Sequence, residues 1–195
     1  CGVIRDGYLH NDDSLELLRK VAVSHAEAGS DMLAPAAMLD GQIGGMRRVL
    51  DEHGFVNTPI MSYAAKFASV LYDPFFKEGT QSRVTFGDKR THQMDCSNGG
   101  EAMREIALDI EEGADIVMVK PGMTYLDILY RAKKEYGVPL AVYNVSGEYA
   151  MIKAAGKAGV IDEQRFLVET MRGFKRAGAD LIITYAAKEL AAGIG

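Results

Sequence analysis

The chain has no tryptophan and only two cysteines, Cys1 and Cys96, in 195 residues. Missing tryptophan carries no functional message, but two thiols cannot build a disulfide framework, and a reducing, cytoplasmic setting is expected. No apolar run approaches the roughly 20 residues that cross a bilayer, and no stretch reads as a signal peptide. A net charge of −5 gives no electrostatic reason to expect nucleic acid or an acidic membrane as partner. Nucleotide fingerprints are absent too: no GxGxxG follows a strand pattern, and neither GxxxxGKS nor GxxxxGKT occurs. His25, His53 and His92, taken with Asp12 and Asp13, make no HxxxH or HExxH spacing, which argues against a histidine-held metal. The rest of the composition, 48% hydrophobic and 25% charged, is ordinary for a globular chain with one sizeable core.

What the chain does contain is a repeated grammar. Three stretches, HAEAGSDMLAP (25–35), IEEGADIVMVKPG (110–122) and KRAGADLIITY (175–185), run from a charged amphipathic helix through Gly and Asp into an apolar strand. The Gly suits a helix C-terminus, where positive φ is open to it. Short, nearly continuous apolar strands suit a parallel sheet covered by helices. Thr58–Tyr63 and Val138–Tyr143 supply strands in the gaps, which makes five βα units. Helices are expected at 15–28, capped from within Asn11–Ser14, and at 99–112, 124–136 and 162–177. By contrast 73–98 is long, polar and aperiodic, the pattern of an active-site lid or binding loop, or else of disorder. Five α/β units fit either an open doubly wound sheet or the last five units of a (β/α)8 TIM barrel, which needs about 250 residues. The missing nucleotide fingerprints and the abrupt Cys-Gly-Val-Ile start favour the barrel. Residues 1–195 are then the C-terminal portion of a single catalytic domain.

Two lysines stand out. Lys120 ends IVMVK ahead of Pro-Gly, and Lys66 lies just beyond the strand-like PIMSY, opening a helix or loop. Lysine is a poor packing residue there, because its amine has to stay hydrated or paired. Partly desolvated at the carboxyl rim of a sheet, it loses its proton more readily and can attack a ketone to form a Schiff base. The plain alternatives are a strand-end Lys120 snorkelling to solvent and a surface Lys66. Adjacent strands bringing both amines to one cavity would depress at least one pKa. Tyr143, Ser146 and Tyr185 cluster at strand ends, where hydroxyls can donate to a carboxylate, with core or rim packing as the alternative for the tyrosines. Cys96 reads as a loop thiol, and Cys1 would mean little without cysteine partners upstream.

The segments SYAAKFASVLYDPF (62–75), FGDKRTHQM (86–94), MVKPGMTYLDI (118–128), YNVSGEYAM (143–151) and GADLIITYAAKEL (178–190) closely resemble the porphobilinogen synthase family, also called delta-aminolevulinic acid dehydratase. APAAMLDG (34–41) and GYLHNDDSLELL (7–18) resemble it as well, so the likeness covers essentially the whole chain. The resemblance implies a (β/α)8 barrel lyase, commonly an octamer, that condenses two 5-aminolevulinate molecules to porphobilinogen with loss of two waters in tetrapyrrole biosynthesis. It implies that Lys120 and Lys66 form Schiff bases with the propionate-side and acetate-side substrates. Ser146 and Tyr185 would bind the first substrate's carboxylate, Tyr143 would pack over that pocket, and Gln93 would belong to the lid over the second. Cys1 would be one of three cysteines on a catalytic Zn2+, with the others upstream, and Glu105 would hold an allosteric Mg2+.

The chain departs from that pattern at the second substrate. Phe76 stands where the family usually has arginine, with Lys77 next to it, and Lys89 replaces a second arginine. Phenylalanine cannot donate a hydrogen bond, so Lys77 and Lys89 would have to serve as point charges. Ala37 replaces an acidic or asparagine residue, and His92 a tyrosine. Two further readings follow: a homologue that forms a lysine imine on another keto acid, and an inactive structural or regulatory homologue. Five of eight barrel strands would leave open edges. These 195 residues expressed alone are therefore expected to be inactive and unstable, and soluble, monomeric material with a cooperative melt would contradict that.

Overall fold

A computed structural model describes residues 2–72 and 89–192. It opens on a hairpin that the periodicity did not signal: β1 (Val3–Arg5) and β2 (Tyr8–His10) pair antiparallel, with Arg5 opposite Tyr8. Asp6 and Gly7 turn it at φ of 48° and 83°, the conformation of a type I′ turn, for which Asp-Gly is a preferred sequence.

Helix α1 (Asn11–Glu27) follows at once. Its cap is His10, whose Nδ1 accepts the Asp13 N–H at 3.4 Å, and not the Asn11–Ser14 group expected. Asp12 and Asp13 occupy the first turn instead, where negative charge suits the helix dipole. Ser14 is buried inside the helix; its hydroxyl donates to His10 O (2.6 Å) and accepts the Val3 N–H (2.9 Å). That pair of bonds stitches the hairpin to α1.

Strands and helices then alternate, except that two helices stand between the last two strands. In order they are α2 (Gln42–Glu52), β3 (Met61–Lys66), α3 (Gly99–Glu111), β4 (Ile116–Lys120) and α4 (Leu126–Glu135). After these come β5 (Leu140–Asn144), α5 (Ser146–Lys157), α6 (Glu163–Ala177), β6 (Leu181–Thr184) and α7 (Ala187–Ala192). They form two compact units: of the described residues, 2–68 and 89–118 make the first, and 69–72 and 119–192 the second. In the first, α1 packs on α2, α3 packs on β3, and β3 lies beside β4. In the second, β4, β5 and β6 follow in order, and α4 and α5 pack on α6. Strands β5 and β6 run parallel, from Ala141 opposite Leu181 to Asn144 opposite Thr184.

Of the five expected strands, that at 31–33 shrinks to one parallel bridge between Leu33 and Ile60. Leu33 N–H donates to Pro59 O (3.0 Å) and Met61 N–H to Leu33 O (2.8 Å). Pro35, which has no N–H, stands where the ladder would continue. Strand β3 starts later than Thr58–Tyr63 and extends to Lys66. In β4 and β5, Val117–Val119 and Leu140–Val142 are buried at every consecutive position, as strands covered on both faces require.

The Gly and Asp of the repeated grammar have separate tasks. Gly29, Gly113 and Gly178 take φ of 93°, 102° and 115° just past their helices, as expected. Asp115 and Asp180 reach back to the start of the preceding strand. Asp115 Oδ2 accepts the Ile60 N–H at 2.8 Å, and Asp180 Oδ2 accepts the Leu140 N–H at 2.9 Å. Each also donates its own backbone N–H to the carbonyl of that same residue. Each aspartate thus locks the amino end of two neighbouring strands. Asp115→Ala leaves the N–H of fully buried Ile60 without that acceptor, and should destabilise the full-length protein by about 1–3 kcal/mol in urea unfolding.

Candidate active site

In the second unit, Lys120 is the last residue of β4 and partly exposed. Its Nζ lies 4.4 Å from the centroid of the Tyr143 ring and 5.2 Å from that of Tyr72, near enough for both ring faces to attract an ammonium. Lys120 is therefore held among rings and does not simply snorkel to water. The Lys120–Pro121 peptide is cis. Tyr143, near the end of β5, stands 6.4 Å from Tyr185, which follows β6; Tyr185 stacks on Tyr149 at 6.0 Å. Buried Ser146 opens α5. The Gly147 N–H donates to Leu71 O at 2.5 Å, which seats the segment that carries Tyr72.

Behind this group lies Glu148, with no solvent exposure. Its Oε1 accepts the Gly122 and Met123 N–H groups (3.1 and 2.7 Å), and its Oε2 accepts Asn144 Nδ2 and the Val145 N–H (both 2.9 Å). Burial pushes the Glu148 carboxyl upward in pKa, and the four hydrogen bonds oppose that shift. Four donors and no acceptor suit the ionised form. On the Asn144 side the network continues: Asn144 Oδ1 accepts the Thr184 hydroxyl at 2.9 Å.

In the first unit, Lys66 departs from expectation. It is the last residue of β3, 8% exposed, and not the start of a helix or loop. Its Nζ donates to Ala36 O at 2.5 Å and lies 5.6 Å from the Tyr63 ring centroid. Met94 N–H donates to Lys66 O (3.2 Å) and Ala68 N–H to Met94 O (2.9 Å), so buried Gln93 is tied by its backbone neighbour to the end of β3. Lys89 opens the 3-10 turn Lys89–Thr91. Cys1, Phe76 and Lys77 lie outside the described residues, as does 73–88 of the expected lid.

Glu105, on α3, lines a cavity of about 310 Å3 with Asp40, Arg90, His92, Gln93 and Glu101. Burial, and then the Asp40 charge, raise its pKa. Deeper on α3, Asp109 accepts the Ser62 hydroxyl. Burial drives its carboxyl up to about 7, Glu112 and Glu105 push the same way, and the Ser62 bond opposes them. Among the described residues no three His, Cys, Asp or Glu side chains gather to hold a metal ion. Cys96 is free and exposed, consistent with a loop thiol.

Sequence reasoning missed Tyr72, Asp109 and Glu148. Glu148 alone carried a readable signal, being the third residue past the helix cap Val145, where a carboxylate turns back to the cap N–H. Val145 has no side-chain oxygen to return the bond, so only half of a capping box forms.

Residues 1–193 match the family model described as Delta-aminolevulinic acid dehydratase. The chain is 54% identical over 195 residues to the delta-aminolevulinic acid dehydratase of Synechococcus elongatus, covering 98% of this chain and 60% of that relative. With the Archaeoglobus fulgidus protein of the same description it shares 54% identity over 191 residues, covering 98% and 59%. A crystal structure of delta-aminolevulinic acid dehydratase (porphobilinogen synthase) from Toxoplasma gondii ME49, in complex with the reaction product porphobilinogen, matches with a TM-score of 0.95. Identity there is 44%, over 98% of this chain and 55% of that one. The chain thus spans about 60% of the length of the relatives it matches. Its fold class is α/β, of the (β/α)8 barrel type.

Asp109 generates a pH test. An unfolded aspartate ionises near its ordinary 3.8, whereas the folded one keeps its proton to about 7, so stability from this group falls as pH rises between those values. Asp109→Asn should therefore stabilise the protein in urea titrations at pH 8, with the gain shrinking toward pH 4.

Proposed function

This chain belongs to the delta-aminolevulinic acid dehydratase family, and from that premise we propose that the protein condenses two molecules of 5-aminolevulinate into porphobilinogen with loss of two waters. The observation that carries the reading is a strand-end lysine, Lys120, lying against the rings of Tyr143 and Tyr72. An unprotonated amine there would add to the ketone carbon of one substrate; the carbinolamine would then lose water to give an imine. The rings that lie against the ammonium would lie equally against a protonated imine, which carries the same charge. Imine formation gives the ketone an electron sink, which carbon–carbon bond formation and imine exchange both use at neutral pH.

The other roles follow the same reading. Ser146 and Tyr185 would donate to the carboxylate of the substrate on Lys120, with Tyr143 packing over it. Lys66 would form the second imine, and Gln93, Lys77 and Lys89 would hold the second substrate, the two lysines as point charges in place of arginines. Binding energy from both carboxylates would orient two small molecules that meet unproductively in water. Glu105 would hold Mg2+ on the same reading, although the described residues bring no set of three acidic or histidine side chains together around it. A Zn2+ site would take Cys1, but the described residues hold no ligand set for it. Assembly as a homo-oligomer, specifically an octamer, and a cytoplasmic setting belong to the same proposal. No helix among the described residues is long and apolar enough to cross a membrane.

Borohydride trapping with 5-aminolevulinate and peptide mass analysis tests this on the full-length protein. The expected outcome is an adduct on Lys120, lost together with product in Lys120→Ala. No adduct and no product would end the assignment. Adduct at Lys120 alone, with no porphobilinogen, would favour the diverged keto-acid reading suggested by Phe76 and Lys89.

A further inference from the structure

Glu148 is fully buried, and of its four hydrogen bonds three fasten the backbone at Gly122, Met123 and Val145 and one the Asn144 side chain. We propose that Glu148 is the positioning residue for Lys120, its carboxylate fixing the turn that presents the amine. The inference rests on reading Lys120 as the imine-forming group.

Three observations support it. First, Oε1 holds the N–H groups of Gly122 and Met123, two and three residues beyond Lys120. The turn cannot swing outward without leaving a buried carboxylate short of donors. Nor can it retreat: a Cβ on Gly122 would come within 2.7 Å of the Phe174 ring and 2.9 Å of Val142. Second, Oε2 holds Asn144 and Val145, the two residues after Tyr143, whose ring lies nearest the Lys120 amine. Asn144 passes the constraint on to Thr184, one residue before Tyr185. One carboxylate therefore sets the end of β4 against the ends of β5 and β6. Third, all four groups facing Glu148 are donors. A glutamine of the same shape would aim its own NH2 at two of them, so charge and acceptor capacity are what the site requires, beyond bulk.

Glu148→Gln in the full-length protein tests this, with Asn144→Asp/Glu148→Gln as the rescue. In the double variant the new amide can donate to the carboxylate that N144D introduces, whose second oxygen remains for Thr184. For a folded E148Q with a melting temperature near the parent's, kcat should fall about 100-fold with KM little changed, the scale of a roughly 1 Å misplacement. Lys120 trapping should slow in proportion, and the double variant, which restores the contact at position 144 while the Val145 N–H still faces an NH2, should recover part of both. A folded E148Q that traps Lys120 at the parent rate, a loss confined to KM, or a folded double variant with no recovery would each overturn the proposal. If E148Q does not fold, the double variant against the parent decides by the same criteria. If the parent gives no adduct with 5-aminolevulinate, the substrate reading fails separately. Reductive methylation of Lys120 by formaldehyde and cyanoborohydride needs no substrate, and an unchanged rate in E148Q would then overturn this inference by itself.

Discussion

A carboxylate with no access to water has to find donors for its lone pairs, and Glu148 finds four. Left with fewer, it would carry an uncompensated buried charge, one of the most destabilising defects a folded chain can hold. The turn after β4 and the turn after β5 are each fixed by that requirement. Around this anchor the second unit assembles its aromatic group. Lys120 lies on Tyr143, Tyr143 leans toward Tyr185, and Tyr185 stacks on Tyr149. Tyr149 in turn donates to Glu189 of α7, which also accepts from Lys153 (3.1 Å).

The two ends of the strands are built on opposite principles. At the amino ends, Asp115 and Asp180 close short local loops of hydrogen bonds with Ile60 and Leu140. Those contacts repeat one pattern at two pairs of strands. At the carboxyl ends, β3 and β4 each finish on a lysine, Lys66 and Lys120, while Tyr143 lies next to the end of β5 and Ser146 opens the helix that follows it. Parallel strands followed by helices concentrate function at the carboxyl ends, because the loops there are free to vary while the sheet below them is held. The paired aspartates and the two lysines occupy opposite ends of the same strands.

Much of the architecture was legible because period and punctuation agree. The Gly-Ala-Asp segments mark helix ends and strand starts together, and 99–112 and 162–177 fall within a residue of α3 and α6. The misses have physical causes. Pro35 cut the first strand to a bridge, a veto that apolar content does not reveal. Helix α1 began early because His10, rarely a cap, offered its ring nitrogen. The hairpin at Val3–His10 is too short for a period-2 pattern, although Asp6-Gly7 named its turn. Lys66 was misplaced past a strand that in fact includes it, since AAK after MSY carries no boundary signal.

By itself the sequence determined the strand–helix alternation, the parallel class, and the lysines worth examining, because those depend on local period and residue chemistry. It also carried the family likeness, through MVKPG and YNVSGE. Tertiary structure alone decided that the YNVSGE glutamate reaches back 26 residues to Gly122. It also decided that Tyr72 faces Lys120, and that Asp109 is half-buried near the charges of Glu105 and Glu112. Each of these is a meeting of side chains from different elements, and no local pattern records what a buried group will find opposite it.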